Sequence, residues 1–229
     1  MYKKLLLVSL SLASVYSSTI DTKKFTIGEQ IYKETCISCH GVNGDAKTDM
    51  KLIVKPRDLS KTLLTEEQSY RITKHGARYF GSKADIMPAF KYVYNESQLK
   101  SVAYYISHNF NSNRDNRIQK LLNESKTEKD LLKNPKYIRW GKKIFNRNCK
   151  FCHGISGAGD GIATKNPEDS IYPYDLRKVV LTKDQIFLYI KYGGKHFGTN
   201  KDDMPSWKRK YNDFKLRAVA KYIEENIRK

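Results

Sequence analysis

Cysteine is scarce in this chain of 229 residues. There are four, and all four lie in two pentapeptides, Cys36-Ile37-Ser38-Cys39-His40 and Cys149-Lys150-Phe151-Cys152-His153. No fifth cysteine remains to ligate a metal by itself, and none lies near the N-terminus to carry a lipid. Long apolar runs are missing as well. The one candidate, Leu5 to Ala13, falls well short of the ~20 residues that cross a bilayer as a helix. Acidic residues are in deficit, 24 against 43 Lys and Arg, for a formal net charge of +19 and a sequence pI near 9.6. Strand patterns are weak throughout, so the chain reads as mostly helical.

Residues 1–17 have the layout of a secretory leader. Lys3 and Lys4 form a positive start, a short apolar stretch follows, and Val15-Tyr16-Ser17 offers a cleavage site. The expectation is a periplasmic protein. For an exported chain the excess of positive charge does not point to nucleic acid. It points to acidic docking faces on redox proteins, with an anionic membrane surface as a second candidate for transient association.

Two cysteines three positions apart, followed at once by histidine, form a haem c attachment site. Thiols one helical turn apart can each make a thioether to one porphyrin, and the histidine that follows can ligate its iron. Zinc also uses paired CxxC units, and an even cysteine count also suits disulfides. Histidine at the same offset in both motifs, and the 113 residues between them, favour two haem c groups. Each half of the chain would have a thin core alone, and a buried porphyrin would fill much of it.

The two halves are copies. Gly28 and Tyr32 match Gly141 and Phe145 at an offset of 113, and a helical glycine four residues before an aromatic suits close helix crossing. The glycine-rich turn after the second motif is four residues longer, so the offset becomes 117 from Pro56 and Pro173 onward. Over residues 56–108 against 173–225 there are 22 identities in 53 positions. Helix starts are expected at Thr26 with Glu29, at Asn134-Pro135, at Thr65 with Gln68, at Thr182 with Gln185, and at Asn95 and Asn212. Gly76 and Gly193 should end the helices that open at Thr65 and Thr182. The organisation expected is a leader at 1–17, a first domain at 24–110, a charged linker at 111–133, partly helical and laid along one domain, and a second domain at 134–229.

Two of the three methionines beyond the leader recur at the repeat offset, Met87-Pro88 and Met204-Pro205. Proline holds the preceding residue extended, which suits a strap that brings a thioether to the second axial position. The metal ligands expected are therefore His40, Met87, His153 and Met204, with Cys36, Cys39, Cys149 and Cys152 binding the cofactor covalently. A backbone carbonyl near Pro56 or Pro173 is the expected acceptor for each ligand histidine. Met50, His75, His108 and His196 have no like residue at the repeat position and read as surface or gap-filling.

Glycine-x-x-x-aromatic, CxxCH, the Met-Pro loop and a closing apolar helix together resemble the class I c-type cytochromes, once per half. The whole is similar to the tandem dihaem periplasmic cytochromes of the cytochrome c-four kind. That resemblance implies three main helices around each haem, thioether links at the four cysteines, and histidine and methionine as axial ligands. It implies an electron carrier rather than an enzyme, between a quinol-oxidising complex or periplasmic oxidoreductase and a terminal oxidase. The alternatives are a cytochrome subunit bound to a dehydrogenase or reductase, and a dihaem peroxidase. The longer, charged linker departs from the pattern and leaves the placement of the two haems open.

Overall fold

In the computed structural model, residues 21–52, 54–82, 87–125, 136–165, 172–199 and 204–228 are described. Among them helix α1 comes first. It covers 21–31, widens into a π-type turn at Tyr32–Cys36 and closes as Ile37–His40 at Gly41. Thr26 is therefore inside α1 and not its cap. Phe25 and Ile27 both pack on the first core and carry the helix back past Thr26, whose hydroxyl donates to the Thr22 carbonyl at 3.0 Å. In the second half, helix α5 (Lys136–Ile144) passes through the same wide turn (Phe145–Cys149) into Lys150–His153. The cap proposed at Asn134-Pro135, like residues 1–17, lies outside the described residues.

The remaining helices also come in pairs. Helix α2 (Glu66–His75) corresponds to α6 (Lys183–Tyr192), and α3 (Glu96–Tyr105, extended by Ile106–Phe110) to α7 (Asp213–Tyr222, extended by Ile223–Ile227). Thr65 and Thr182 form full capping boxes with Gln68 and Gln185, and Asn95 does so with Gln98. Asn212 caps α7 by accepting from the Lys215 amide. Among the described residues there is no strand, and the architecture is two tandem helical domains.

Gly28 and Gly141 sit where α1 crosses α3 and where α5 crosses α7. A Cβ at Gly28 would stand 2.0 Å from the Ser101 carbonyl oxygen, and one at Gly141 would stand 2.1 Å from that of Ala218. Any side chain would force the helices apart. Next to these crossings Tyr32 and Phe145 are fully buried.

The halves meet across a seam with approximate twofold symmetry. The Asp58 amide donates to the Gly198 carbonyl at 2.9 Å, and the equivalent Asp175 amide donates to the Gly81 carbonyl at 2.8 Å. Gln68 and Gln185, also equivalent, exchange amide hydrogen bonds at 2.9 and 3.0 Å. Each Nε2 also reaches a carbonyl, Gln68 that of Val180 at 2.8 Å and Gln185 that of Leu63 at 2.6 Å. The axis runs between these two glutamines.

The linker holds helix α4 (Arg114–Asn123). It does not lie along one domain but is fastened to both. Arg114 and Arg117 donate to the carbonyls of Leu64, Ser60 and Thr62 in the first half. Ile118, Leu121 and Leu122 pack on the core of the second. Arginine forks suit the carbonyls of the irregular segment 60–64, and the apolar face of α4 meets the second core.

Candidate metal centres

Each CxxCH turn ends the helix that carries it, because Gly41 and Gly154 leave the helix at φ 76°. The thiols of Cys36 and Cys149 point into apolar surroundings, each packed against the core of its own half. Burial, helped by the neighbouring cysteine of the motif, pushes each of these thiols up to about 12. The four cysteines are free, so the halves are not cross-linked by disulfides. Among the described residues no group of three or more His, Cys, Asp or Glu side chains converges as a metal cage.

Burial holds both motif histidines below the ordinary imidazole range, opposed by one hydrogen bond each. His40 Nδ1 lies 3.3 Å from the Arg57 carbonyl, and His153 Nδ1 lies 3.2 Å from the Tyr174 carbonyl. A neutral ring that donates from Nδ1 presents the lone pair of Nε2, the atom an axial ligand needs. The acceptors are the residues directly after Pro56 and Pro173, next to the positions the sequence suggested.

Met87 and Met204 occupy matching places. The Met87 carbonyl accepts from the Ala77 amide at 3.1 Å and the Met204 carbonyl from the equivalent Gly194 amide at 2.8 Å. Both straps press on the glycine that ends the preceding helix. A Cβ at Gly76 or Gly193 would stand 2.9 Å from the methionine carbonyl, and both glycines have positive φ, 78° and 82°. The Met204 side chain packs against the second core, and Met87 is half-buried.

The residues without repeat partners are engaged elsewhere. Met50 is about half exposed at 47%, its sulfur 4.0 Å from that of Cys39. The His75 ring stacks on Tyr79 at 4.8 Å, and that of His196 stacks on Tyr192 at 5.1 Å. The two stacks are the same pair of positions with the residues exchanged. His108 stacks on Tyr104 at 3.8 Å and bonds its carbonyl.

Sequence reasoning missed the seam. Gln68 and Gln185 read as capping residues, and their Oε1 atoms do cap, accepting from the Thr65 and Thr182 amides. Their identity at the repeat offset was the available signal for a second role. Arg57 was missed too, since its repeat partner is Tyr174 and nothing in the pattern marks it.

The donor set of each half fits haem c: two thiols one turn apart, an adjacent imidazole with Nδ1 already bonded, and a thioether on an anchored strap. His40 and His153 would be the residues to hold the iron, and Cys36, Cys39, Cys149 and Cys152 those to hold the porphyrin. The chain matches the family model described as cytochrome c oxidase, cbb3-type, subunit III, twice, over residues 23–106 and 137–223. No curated protein matched. Among solved structures, a chain of the reducing HAO-like protein complex of Kuenenia stuttgartiensis is similar, with 22% identity and a TM-score of 0.45, over 89% of this chain and 96% of that one.

Proposed function

Given that the chain belongs to the family of cytochrome c oxidase, cbb3-type, subunit III, with two c-type cytochrome domains in tandem, we propose that it is a periplasmic dihaem electron carrier. Each domain holds one covalently bound haem c with histidine and methionine as axial ligands, Met87 and Met204 supplying the thioether. Residues 1–17 export it. Haem c supplies a one-electron Fe(III)/Fe(II) couple, and the protein's part is to attach, orient and insulate it. With both axial positions taken no site is left for substrate, so the protein is a carrier and not an enzyme. The observation that supports this best is the repeated constellation: two motif histidines oriented by equivalent carbonyls, and two Met-Pro straps anchored to equivalent amides.

The partners are acidic-faced redox proteins, a quinol-oxidising complex or periplasmic oxidoreductase on one side and a terminal oxidase on the other. They dock on the second half. Helix α5 through His153 carries Lys136, Arg139, Lys142, Lys143, Arg147 and Lys150, all exposed, and no acidic residue. Helix α1 carries three lysines balanced by Asp21, Glu29 and Glu34. Around the second motif Phe151, Ile155 and Ile162 are 59%, 75% and 63% exposed, an apolar centre inside a basic rim.

Absorption and pyridine haemochrome measurements on the exported protein should give two haems per chain and the sulfur-to-iron band. Met87→Ala and Met204→Ala should each lower one midpoint potential and abolish half of that band; a full band in either variant would reject that ligand. Electron exchange with an acidic protein should slow with ionic strength. It should slow further in Lys142→Glu/Lys143→Glu, with little change in Lys23→Glu/Lys33→Glu. Equal loss in the two variants would reject docking on α5. A permanently bound oxidase subunit is the second reading, favoured by the single-signed α5 face; it requires co-purification with a membrane complex.

A further inference from the structure

Both carbonyls that orient the ligand histidines lie on the seam between the halves. Arg57 is followed by Asp58, and Tyr174 by Asp175, the two residues whose amides cross to the opposite half. The Arg57 side chain crosses as well. Its Nη1 donates to the Tyr189 hydroxyl on α6, and its guanidinium carbon lies 5.5 Å from the Tyr189 ring centre and 6.0 Å from that of Tyr174. One residue thus holds His40 by its carbonyl and rests its charge on the residue whose carbonyl holds His153. The repeat position is Tyr174, so the second half supplies no counterpart of this cation.

We propose that Arg57 is a positioning residue shared by both metal centres. Its backbone sets His40, and its charge, lodged against Tyr174 and Tyr189, raises the reduction potentials of both halves together. The inference rests on the dihaem reading above. A fixed cation near an iron disfavours the ferric state, which carries one more positive charge, and a partly buried charge is poorly screened. Because the guanidinium is set between two phenol rings, its field is fixed relative to both histidines. The ring faces also favour a cation there. The two potentials should then respond to one side chain, although it belongs to the first half only.

The test is redox titration of the exported, haem-loaded protein, after the parent has been shown to bind two haems. A parent without haem would sink the dihaem reading and this inference with it. With two haems present, the titration decides on Arg57 alone. Arg57→Met fills the slot without charge, a replacement that buried ions often tolerate. It and Arg57→Gln should lower both midpoint potentials, and Arg57→Lys should keep both near the parent. A shift confined to the first centre would reduce Arg57 to a local support for His40 and overturn the proposal. Two unmoved potentials would also overturn it. If neither uncharged variant accumulates, Tyr189→Phe, which removes the hydroxyl that accepts from the guanidinium and loosens its hold on α6, must lower the second potential at full haem content. An unmoved second potential there refutes the coupling.

Discussion

The two halves have one scaffold and different interiors. Helix α6 buries Ile186, Phe187, Leu188 and Ile190, whereas the equivalent positions of α2 are Ser69, Tyr70, Arg71 and Thr73. The second half has one continuous core, which takes in Leu63 from the first; the first half has two smaller clusters. Helix α4 adds to the difference. It packs its leucines over the second core, and Ser125, just past its end, accepts from the buried Lys191 ammonium at 2.8 Å; Leu188 of α6 is enclosed where its counterpart Arg71 on α2 faces water. Duplication set the frame, and the linker helix adds to it unevenly, its apolar face packed on the second core and its arginines bonded to the first half.

That contrast can be broken at several levels. The largest effect belongs to the cofactor. Cys149→Ser/Cys152→Ser and Cys36→Ser/Cys39→Ser should each halve the haem measured as pyridine haemochrome. The second-half variant should also lower the unfolding midpoint more, because the larger core is built around that motif. Equal losses would mean that the cores are not energetically distinct.

Next comes packing. Leu188→Ala should cost about 3 kcal/mol in denaturant unfolding, as expected for a fully buried leucine. Its counterpart Arg71→Ala is exposed and should stay within about 0.5 kcal/mol. A large loss at Arg71 would show that this face of α2 is covered too.

Where the halves are alike, the contrast should vanish. Gln68→Ala and Gln185→Ala each remove a cap and three hydrogen bonds across the seam, at about 2 kcal/mol or more apiece. The double variant should lose less than their sum, since both belong to one network. Strict additivity would dissolve the proposed axis.

The smallest effect is in pH dependence. The Lys74 ammonium, with Tyr70 and Lys100, brings the Glu96 carboxyl from 4.5 down to about 2. A carboxyl depressed in the folded state stabilises above its unfolded value, and that contribution fades as pH falls from 4.5 through about 2. Urea midpoints of the parent should therefore fall more steeply over that window than those of Glu96→Gln; parallel curves would remove Glu96 from the account.

Much of the site was legible in the sequence because its chemistry is local. The CxxCH turns, the Met-Pro straps, the glutamine caps and the glycine crossings each need particular residues at short, fixed spacing, and the repeat reads each of them twice. The acceptors beside Pro56 and Pro173 were readable for the same reason. What stayed hidden was non-local. Gln68 to Val180 and Arg57 to Tyr189 join positions more than a hundred residues apart, and no periodicity announces such a pair. The linker was half legible: its leucines signalled packing, but not that its arginines would fasten the other domain. Thr26 was misread because a capping-box pattern inside a helix looks the same as one at its start.

The glutamine pair has one last implication. A surface whose donors and acceptors match their own image will accept a twin as readily as a sibling. Either half, expressed by itself, should therefore find a second molecule of its kind, and the tandem chain keeps that appetite in check by occupying the surface from within.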